Sequence, residues 1–225
     1  MPTPNTPLTA AIIDLDGTMV DTVGDFEVAL NRALDDLKLP PVNRAFISRT
    51  VGKGTENLLA RALAEVAAPA ERFDALHTRY QQHYVAINGQ HSAVYPGVVE
   101  GLQAMRAAGW RLACVTNKPG AFALPLLKLK GLDGYFEHIF GGDAYTRKKP
   151  DPLPLLETCK ALGATPAQTL MLGDSSNDAA AARAAGCPVV LVSYGYNHGE
   201  PVETAAPDAI VDRFDHIPRW LGWRC

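Results

Sequence analysis

The sequence predicts an α/β fold in which a parallel-sheet core is interrupted by an inserted α-helical cap domain. Three observations lead there. Four short apolar, β-rich runs recur along the chain, helical patterns ending in glycine stand between the later ones, and one long stretch has helical periodicity with no apolar strand.

In chain order the runs are "TAAII" at 9–13, "RLACV" at 111–115, "TLML" at 169–172 and "PVVLV" at 188–192. Near-continuous apolar runs of this length suit strands buried on both faces, as in a parallel sheet. The segments "GVVEGLQAMRAAG", "DPLPLLETCKALG" and "NDAAAARAAG" end in Gly109, Gly163 and Gly186. A glycine that closes a helix just ahead of the next strand is a left-handed C-terminal cap. Strand, helix, strand repetition then implies right-handed crossovers and a Rossmann-like core. Residues 22–92 read differently, as the amphipathic segments "DFEVALNRALDDLKL", "TENLLARALAEVA" and "ERFDALHTRYQQHYVAI". Because this stretch separates the first two apolar runs, it is expected to be a helical cap (22–92) inserted into a core domain built from 1–21 and 93–225. The hinges are expected near Thr22 and near Tyr95, Pro96 and Gly97.

Composition limits the function classes. The 225 residues are 47% hydrophobic and 20% charged with a net charge of −3, which suits a globular chain with a substantial core. No Lys/Arg cluster of five or more is present, which argues against nucleic acid as a ligand because duplex binding rests on a basic face. No apolar run approaches the roughly 18 residues needed to span a bilayer, and no Lys or Arg precedes Arg32 in an N-terminal leader pattern. A cytoplasmic protein without a membrane partner is expected, as monomer or homodimer. Cys114, Cys159, Cys187 and Cys225 are scattered without metal-ligand spacing, and are expected to be reduced and mostly buried. The histidines form no ligand motif, although His198 stands in a Gly-rich loop. The tail from Trp220 to Cys225 either packs on the core or meets another subunit.

The polar residues fall where the strands end. "AAIID" ends in Asp14, "LACVTN" in Thr116 and Asn117, and "LMLGD" in Asp174. In an open parallel sheet the carboxyl ends of the strands share one edge, where ligands bind. These residues should therefore converge there with Asp16 and Asp178. Four carboxylates so placed would raise one another's pKa unless a cation lay among them, and hard oxygens without His or Cys favour Mg²⁺. Opposite charge is available from "TRKKPDPLP", with Arg147, Lys148 and Lys149. A metal, an ammonium, a Thr hydroxyl and the backbone N–H groups of "DLDGT" make a phosphate receptor. Asp14 is the expected nucleophile on phosphorus, and Asp16, two residues on, the acid/base. Gly17 permits the turn that frees both.

These motifs resemble the haloacid dehalogenase-like superfamily over nearly the whole chain: "DLDGT" with Asp14 and Asp16, "VTN" with Thr116, "KKP" with Lys149 and "GDSSND" with Asp174 and Asp178, in that order. The resemblance implies a phosphomonoester hydrolase acting through an aspartyl-phosphate. Thr116, Asn117 and Lys149 would bind phosphate. Mg²⁺ would be held by Asp14, Asp174 and the Asp16 backbone carbonyl, with Asp178 acting from nearby. The insertion is similar to the superfamily's C1-type cap. Within the superfamily, "VGKGTENLLARAL", "VTNKP" and "SYGYNHGEP" look most like the phosphatases that hydrolyse 2-phosphoglycolate, although Ser176 and Asp151 replace the Arg and His common at their positions. A sugar phosphate such as N-acetylmuramate 6-phosphate is the rival substrate, a β-phosphoglucomutase-type isomerase the rival enzyme, and a receiver-like signalling module the non-enzymatic alternative that Asp16 argues against. In "RTVGKGT", Arg49, Gly52 and Lys53 are candidates for reading the substrate's carboxylate, the alternative for the same segment being a helix-connecting turn with Thr55 as N-cap.

Overall fold

The computed structural model describes residues 7–217. Its main sheet has six parallel strands in the order β5-β4-β1-β6-β7-β8, formed by β1 (Ala10–Ile13), β4 (Arg111–Val115), β5 (His138–Phe140), β6 (Thr169–Gly173), β7 (Val189–Val192) and β8 (Ala209–Val211). The burial of β1 explains why its sequence is uninterruptedly apolar. Ala11 and Ile13 face one hydrophobic cluster with Leu112 and Cys114, while Ala10 and Ile12 face a second with Ala113 and Val115. Helices α5 (Val98–Ala107) and α6 (Gly120–Leu129) cover the first face, and α7 (Leu153–Ala161) and α8 (Ser176–Ala185) the second. With both faces dry, only apolar side chains satisfy either side. Gly109, Gly163 and Gly186 all have positive φ, as their cap role requires.

Four helices occupy the chain between β1 and β4's preceding helix: α1 (Val23–Asp36), α2 (Arg44–Thr50), α3 (Thr55–Glu65) and α4 (Phe73–Ile87). They enclose a cluster of their own, centred on Leu30, Leu34, Leu59, Tyr80 and Tyr84, to which the core contributes Phe122. Helix α2 is held at its start by Asn43, whose side chain accepts the Phe46 N–H at 2.8 Å. The chain leaves and re-enters this unit through a two-stranded antiparallel ribbon, β2 (Val20–Asp21) with β3 (Ala93–Val94). The buried Asp25 carboxylate fixes the return by accepting the Gly89 N–H at 2.9 Å and the His91 N–H at 2.7 Å.

The described cysteines, Cys114, Cys159 and Cys187, are free and buried. Cys225 and the Trp220 to Cys225 tail lie outside the described residues. Among the described residues no helix is long and apolar enough to cross a membrane.

Candidate active site

The carboxyl edge of the sheet gathers the residues that the strand ends place there. Asp14 follows β1, Thr116 follows β4, Asp174 follows β6, and Asp178 sits in the first turn of α8. Oxygens of Asp14, Asp174 and Asp178 all lie within 4.8 Å of one another, and all three side chains are buried. Gly17 has φ +83°, and a methyl group there would collide with the Asp174 carboxylate. The "DLDGT" turn thus brings the first motif against the β6 end only because glycine leaves the space open.

The three carboxylates are not equivalent. Asp178 is fully engaged: its Oδ2 accepts from the backbone N–H groups of Asp174 and Ser175 at 3.2 Å and from Ser175 Oγ at 2.9 Å. Its Oδ1 accepts from Lys149 Nζ at 2.7 Å. Asp174 accepts from the Tyr196 N–H at 2.7 Å and from Thr18 Oγ1 at 3.3 Å. Asp14 Oδ1 is 3.0 Å from Lys149 Nζ but off the hydrogen-bonding direction, so this buried oxygen has no hydrogen-bond partner. Asp14 Oδ1 is therefore the unpartnered oxygen that a hard divalent cation would satisfy, Asp174 beside it has one donor on each oxygen and lone pairs to spare, and Asp178 braces the turn.

Electrostatics agree with that division. Burial pushes the Asp14 carboxyl up to about 7; Lys149 opposes the rise, and Asp178 and Asp16 add to it. Burial also raises Asp174, with Asp178 and Asp14 contributing. Burial by itself would lower Lys149, but Asp14 and Asp178 together hold it above the usual lysine range. The cluster has more negative charge than Lys149 neutralises, the imbalance that a bound cation corrects.

In the metal-free protein the raised Asp14 pKa makes stability depend on pH. A carboxyl whose folded pKa exceeds its unfolded value contributes stability that is complete below about 3.8 and is lost as pH rises through about 7. For Asp14 the full swing is bounded by about 4 kcal/mol, three pKa units at about 1.4 kcal/mol each. In EDTA, Tm should fall between pH 5 and pH 8, and divalent cation should restore it at pH 8. The Asp14→Asn variant should lose the Asp14 share of that slope and keep the part that comes from Asp174, which burial also raises. Differential scanning fluorimetry on both proteins tests this, and identical slopes would remove Asp14 as the source.

Asp16 does not join the acidic cluster. Its carboxylate turns toward the helical unit and meets Lys118, with Nζ 3.1 Å from Oδ1 and 3.5 Å from Oδ2. Asp14 and Asp16 both line a small cavity of about 30 Å³, whose far wall includes Phe26, Leu58, Tyr80 and Tyr84 of the helical unit. Thr116 lines the same cavity, and its Oγ1 accepts the Lys118 N–H at 3.1 Å. Asn117 is placed at the site but spends both amide protons as a clasp, donating to the Lys149 carbonyl at 2.8 Å and across to the Gly52 carbonyl at 2.9 Å. Asn177 donates to the same Gly52 oxygen at 3.1 Å.

The turn between α2 and α3 therefore meets the core through its backbone. Gly52 lines the cavity; Arg49 and Lys53 do not, and both are exposed. The Arg49 stem instead packs against Gly199. His198 Nδ1 donates to the Val51 carbonyl at 3.1 Å, a further tie to this turn. Of the basic loop, only Lys149 enters the site. Arg147 pairs with Asp151 at 3.0 Å, and Lys148 reaches Glu56 on α3 at 3.2 Å.

Two residues here were not singled out from sequence: Lys118 and Tyr84. Lys118 is two positions past Thr116 in a strand-end loop, which was a usable signal. Nothing in the local pattern around Tyr84 distinguishes it from the other buried positions of α4.

A family model described as "Haloacid dehalogenase-like hydrolase" matches residues 11–192. A phosphoglycolate phosphatase encoded on a plasmid of Cupriavidus necator is 46% identical over 98% of this chain and 96% of its own length. The phosphoglycolate phosphatase of Thiobacillus denitrificans is also 46% identical, over 91% of this chain and 92% of its own. Among solved structures, that of a predicted phosphoglycolate phosphatase from Haemophilus somnus superposes with a TM-score of 0.92 at 34% identity, covering 96% of this chain and 99% of that one.

Proposed function

The chain belongs to the haloacid dehalogenase-like hydrolase family, and from that premise we propose that it is a Mg²⁺-dependent phosphomonoesterase of 2-phosphoglycolate that works through an aspartyl-phosphate. The observation that carries the reading is the division of the two N-terminal aspartates. Asp14 stands with Lys149 and Asp174 on the phosphate side of the cavity, and Asp16 faces the enclosed space where a leaving group would lie.

In this mechanism Thr116 Oγ1 and Lys149 Nζ hold the phosphoryl oxygens, and an Asp14 oxygen attacks phosphorus in line with the ester bond. Asp16 gives a proton to the departing glycolate oxygen. The same residue then takes a proton from the water that attacks the aspartyl-phosphate, releasing inorganic phosphate and restoring Asp14. Mg²⁺ held by the Asp14 and Asp174 carboxylates, with the Asp16 carbonyl, would neutralise phosphoryl charge and keep Asp14 ionised. Asp178 serves by fixing Lys149 and the turn that carries Asp174.

Residues 22–92 act as the cap over a core of 1–21 and 93–225, and the β2/β3 ribbon is its hinge. Closed over the site, the cap excludes bulk water that would compete with the glycolate oxygen for the Asp16 proton. Free thiols at Cys114, Cys159 and Cys187 are in keeping with a cytoplasmic site of action.

A panel of 2-phosphoglycolate, N-acetylmuramate 6-phosphate, β-glucose 1-phosphate and p-nitrophenyl phosphate, assayed with Mg²⁺ for kcat/KM, tests the substrate. Phosphoglycolate should lead the panel at least tenfold, about the discrimination of one well-placed contact. A preference for the muramate ester, or conversion of glucose 1-phosphate to glucose 6-phosphate, would reassign the enzyme.

A further inference from the structure

We infer that Lys118, together with the Tyr84 hydroxyl lowered onto it by the cap, reads the carboxylate of the substrate; this rests on the phosphoglycolate reading above. Among the described residues, Lys118 is the one cation that lines the cavity. Its side chain is 2% exposed. Nζ donates to Tyr84 Oη at 2.6 Å and to Asp16 Oδ1 at 3.1 Å, and lies 4.5 Å and 4.8 Å from the ring centres of Phe26 and Tyr84. The aromatic faces offset part of the cost of burying this ammonium, and an anion is needed to offset the rest. Asp16 is that anion in this structure, yet Asp16 is also the group that must attend the leaving oxygen.

The chemistry of the ester resolves this double duty. In 2-phosphoglycolate the carboxylate is joined to the leaving oxygen through a single methylene. With that oxygen at Asp16, the carboxylate falls one short step further from phosphorus, on the side where Lys118 Nζ stands. Tyr84 completes the receptor. Its oxygen already accepts from Lys118, so its own proton is free to donate to an anion, and burial pushes its pKa well above the usual tyrosine value, which keeps that proton in place. Lys118 comes from the core loop after β4 and Tyr84 from α4 of the cap, so the two meet only when the cap is down. Recognition of the carboxylate is thereby tied to closure, and a neutral ester, lacking the bridging anion, forfeits that contact.

The test compares 2-phosphoglycolate with ethyl phosphate, an ester with a two-carbon leaving group and no carboxylate, in the wild type, Lys118→Met and Tyr84→Phe, all with Mg²⁺. Lys118→Met should lower kcat/KM for phosphoglycolate about 100-fold more than for ethyl phosphate, the scale expected when one partner of a buried charge pair is removed. Tyr84→Phe keeps the ring and its packing; it should cost phosphoglycolate about tenfold, mainly in KM, and ethyl phosphate far less. Should Lys118→Met fail to fold, Tyr84→Phe carries the comparison. Equal losses on both esters in the folded variants would overturn the assignment and leave Lys118 as a partner of Asp16 alone. A wild type that does not prefer phosphoglycolate to ethyl phosphate would instead refute the substrate reading itself, a result read before any variant is made.

Discussion

Asp14→Asn should lower kcat for 2-phosphoglycolate by on the order of 10⁴-fold or more, the loss seen when one member of a concerted catalytic unit is removed. The substitution is nearly isosteric, and Lys149 keeps Asp178 Oδ1 at 2.7 Å and the Val115 carbonyl at 2.8 Å, so the fold should persist. What disappears is the proposed nucleophile, because a neutral amide oxygen does not form the acyl-phosphate that a carboxylate forms. Asp16→Asn should fail at a different step. With p-nitrophenyl phosphate, whose leaving group needs no proton, Asp14 should still be phosphorylated, and the enzyme should then stall because nothing activates the water. Quenched-flow assay and intact-protein mass spectrometry read both results. A phosphorylated Asp14→Asn protein, or one within tenfold of wild-type kcat, would transfer the nucleophile to another residue.

The meeting of Asp14, Thr116 and Asp174 at one edge was legible in the sequence because it follows from where strands end. Asp14, Thr116 and Asp174 each close an apolar run, and a parallel sheet necessarily brings such ends to one edge. The same logic explains which strands were readable. β1, β4, β6 and β7 are buried on both faces and spell continuous apolar words, whereas β5 and β8 lie at the sheet edges, run for three residues each and are only partly buried. Helix α2 is seven residues long and its start depends on the Asn43 cap, while α6 carries Pro125 in its interior, so neither announces itself by periodicity. In the turn between α2 and α3, the charged residues are not the ones that line the cavity. Arg49 and Lys53 remain exposed, and the turn engages the core through the Gly52 carbonyl, a group every residue type possesses. Lys118 gains its meaning from Tyr84 and Asp16, 34 and 102 positions away, a relation that no local pattern encodes.

Lys149→Met should destabilise the fold as severely as it impairs catalysis. Lys149 Nζ is 2% exposed at the side chain and lies between Asp14, Asp178 and the Val115 carbonyl. Its removal leaves two buried carboxylates facing each other without a counter-charge, and breaking a buried pair in this way costs about 3–5 kcal/mol. Against a typical total of about 5–15 kcal/mol, that is enough to move the urea midpoint substantially. The loss should be greatest in EDTA, where no cation compensates, and smaller with Mg²⁺ if, as proposed, that ion is held by Asp14. Lys149→Arg should not rescue activity, because a planar guanidinium does not fit the three-way site of a compact ammonium. The double variant Asp14→Asn/Lys149→Met should be more stable than the sum of its parts predicts, since removing a carboxylate and its counter-ion together leaves less unpaired charge. Urea titrations of the four proteins with and without Mg²⁺ measure that coupling. Additive losses would show that Lys149 and Asp14 do not balance each other, and the charge economy of the site would then rest on Asp178 and Lys149 alone.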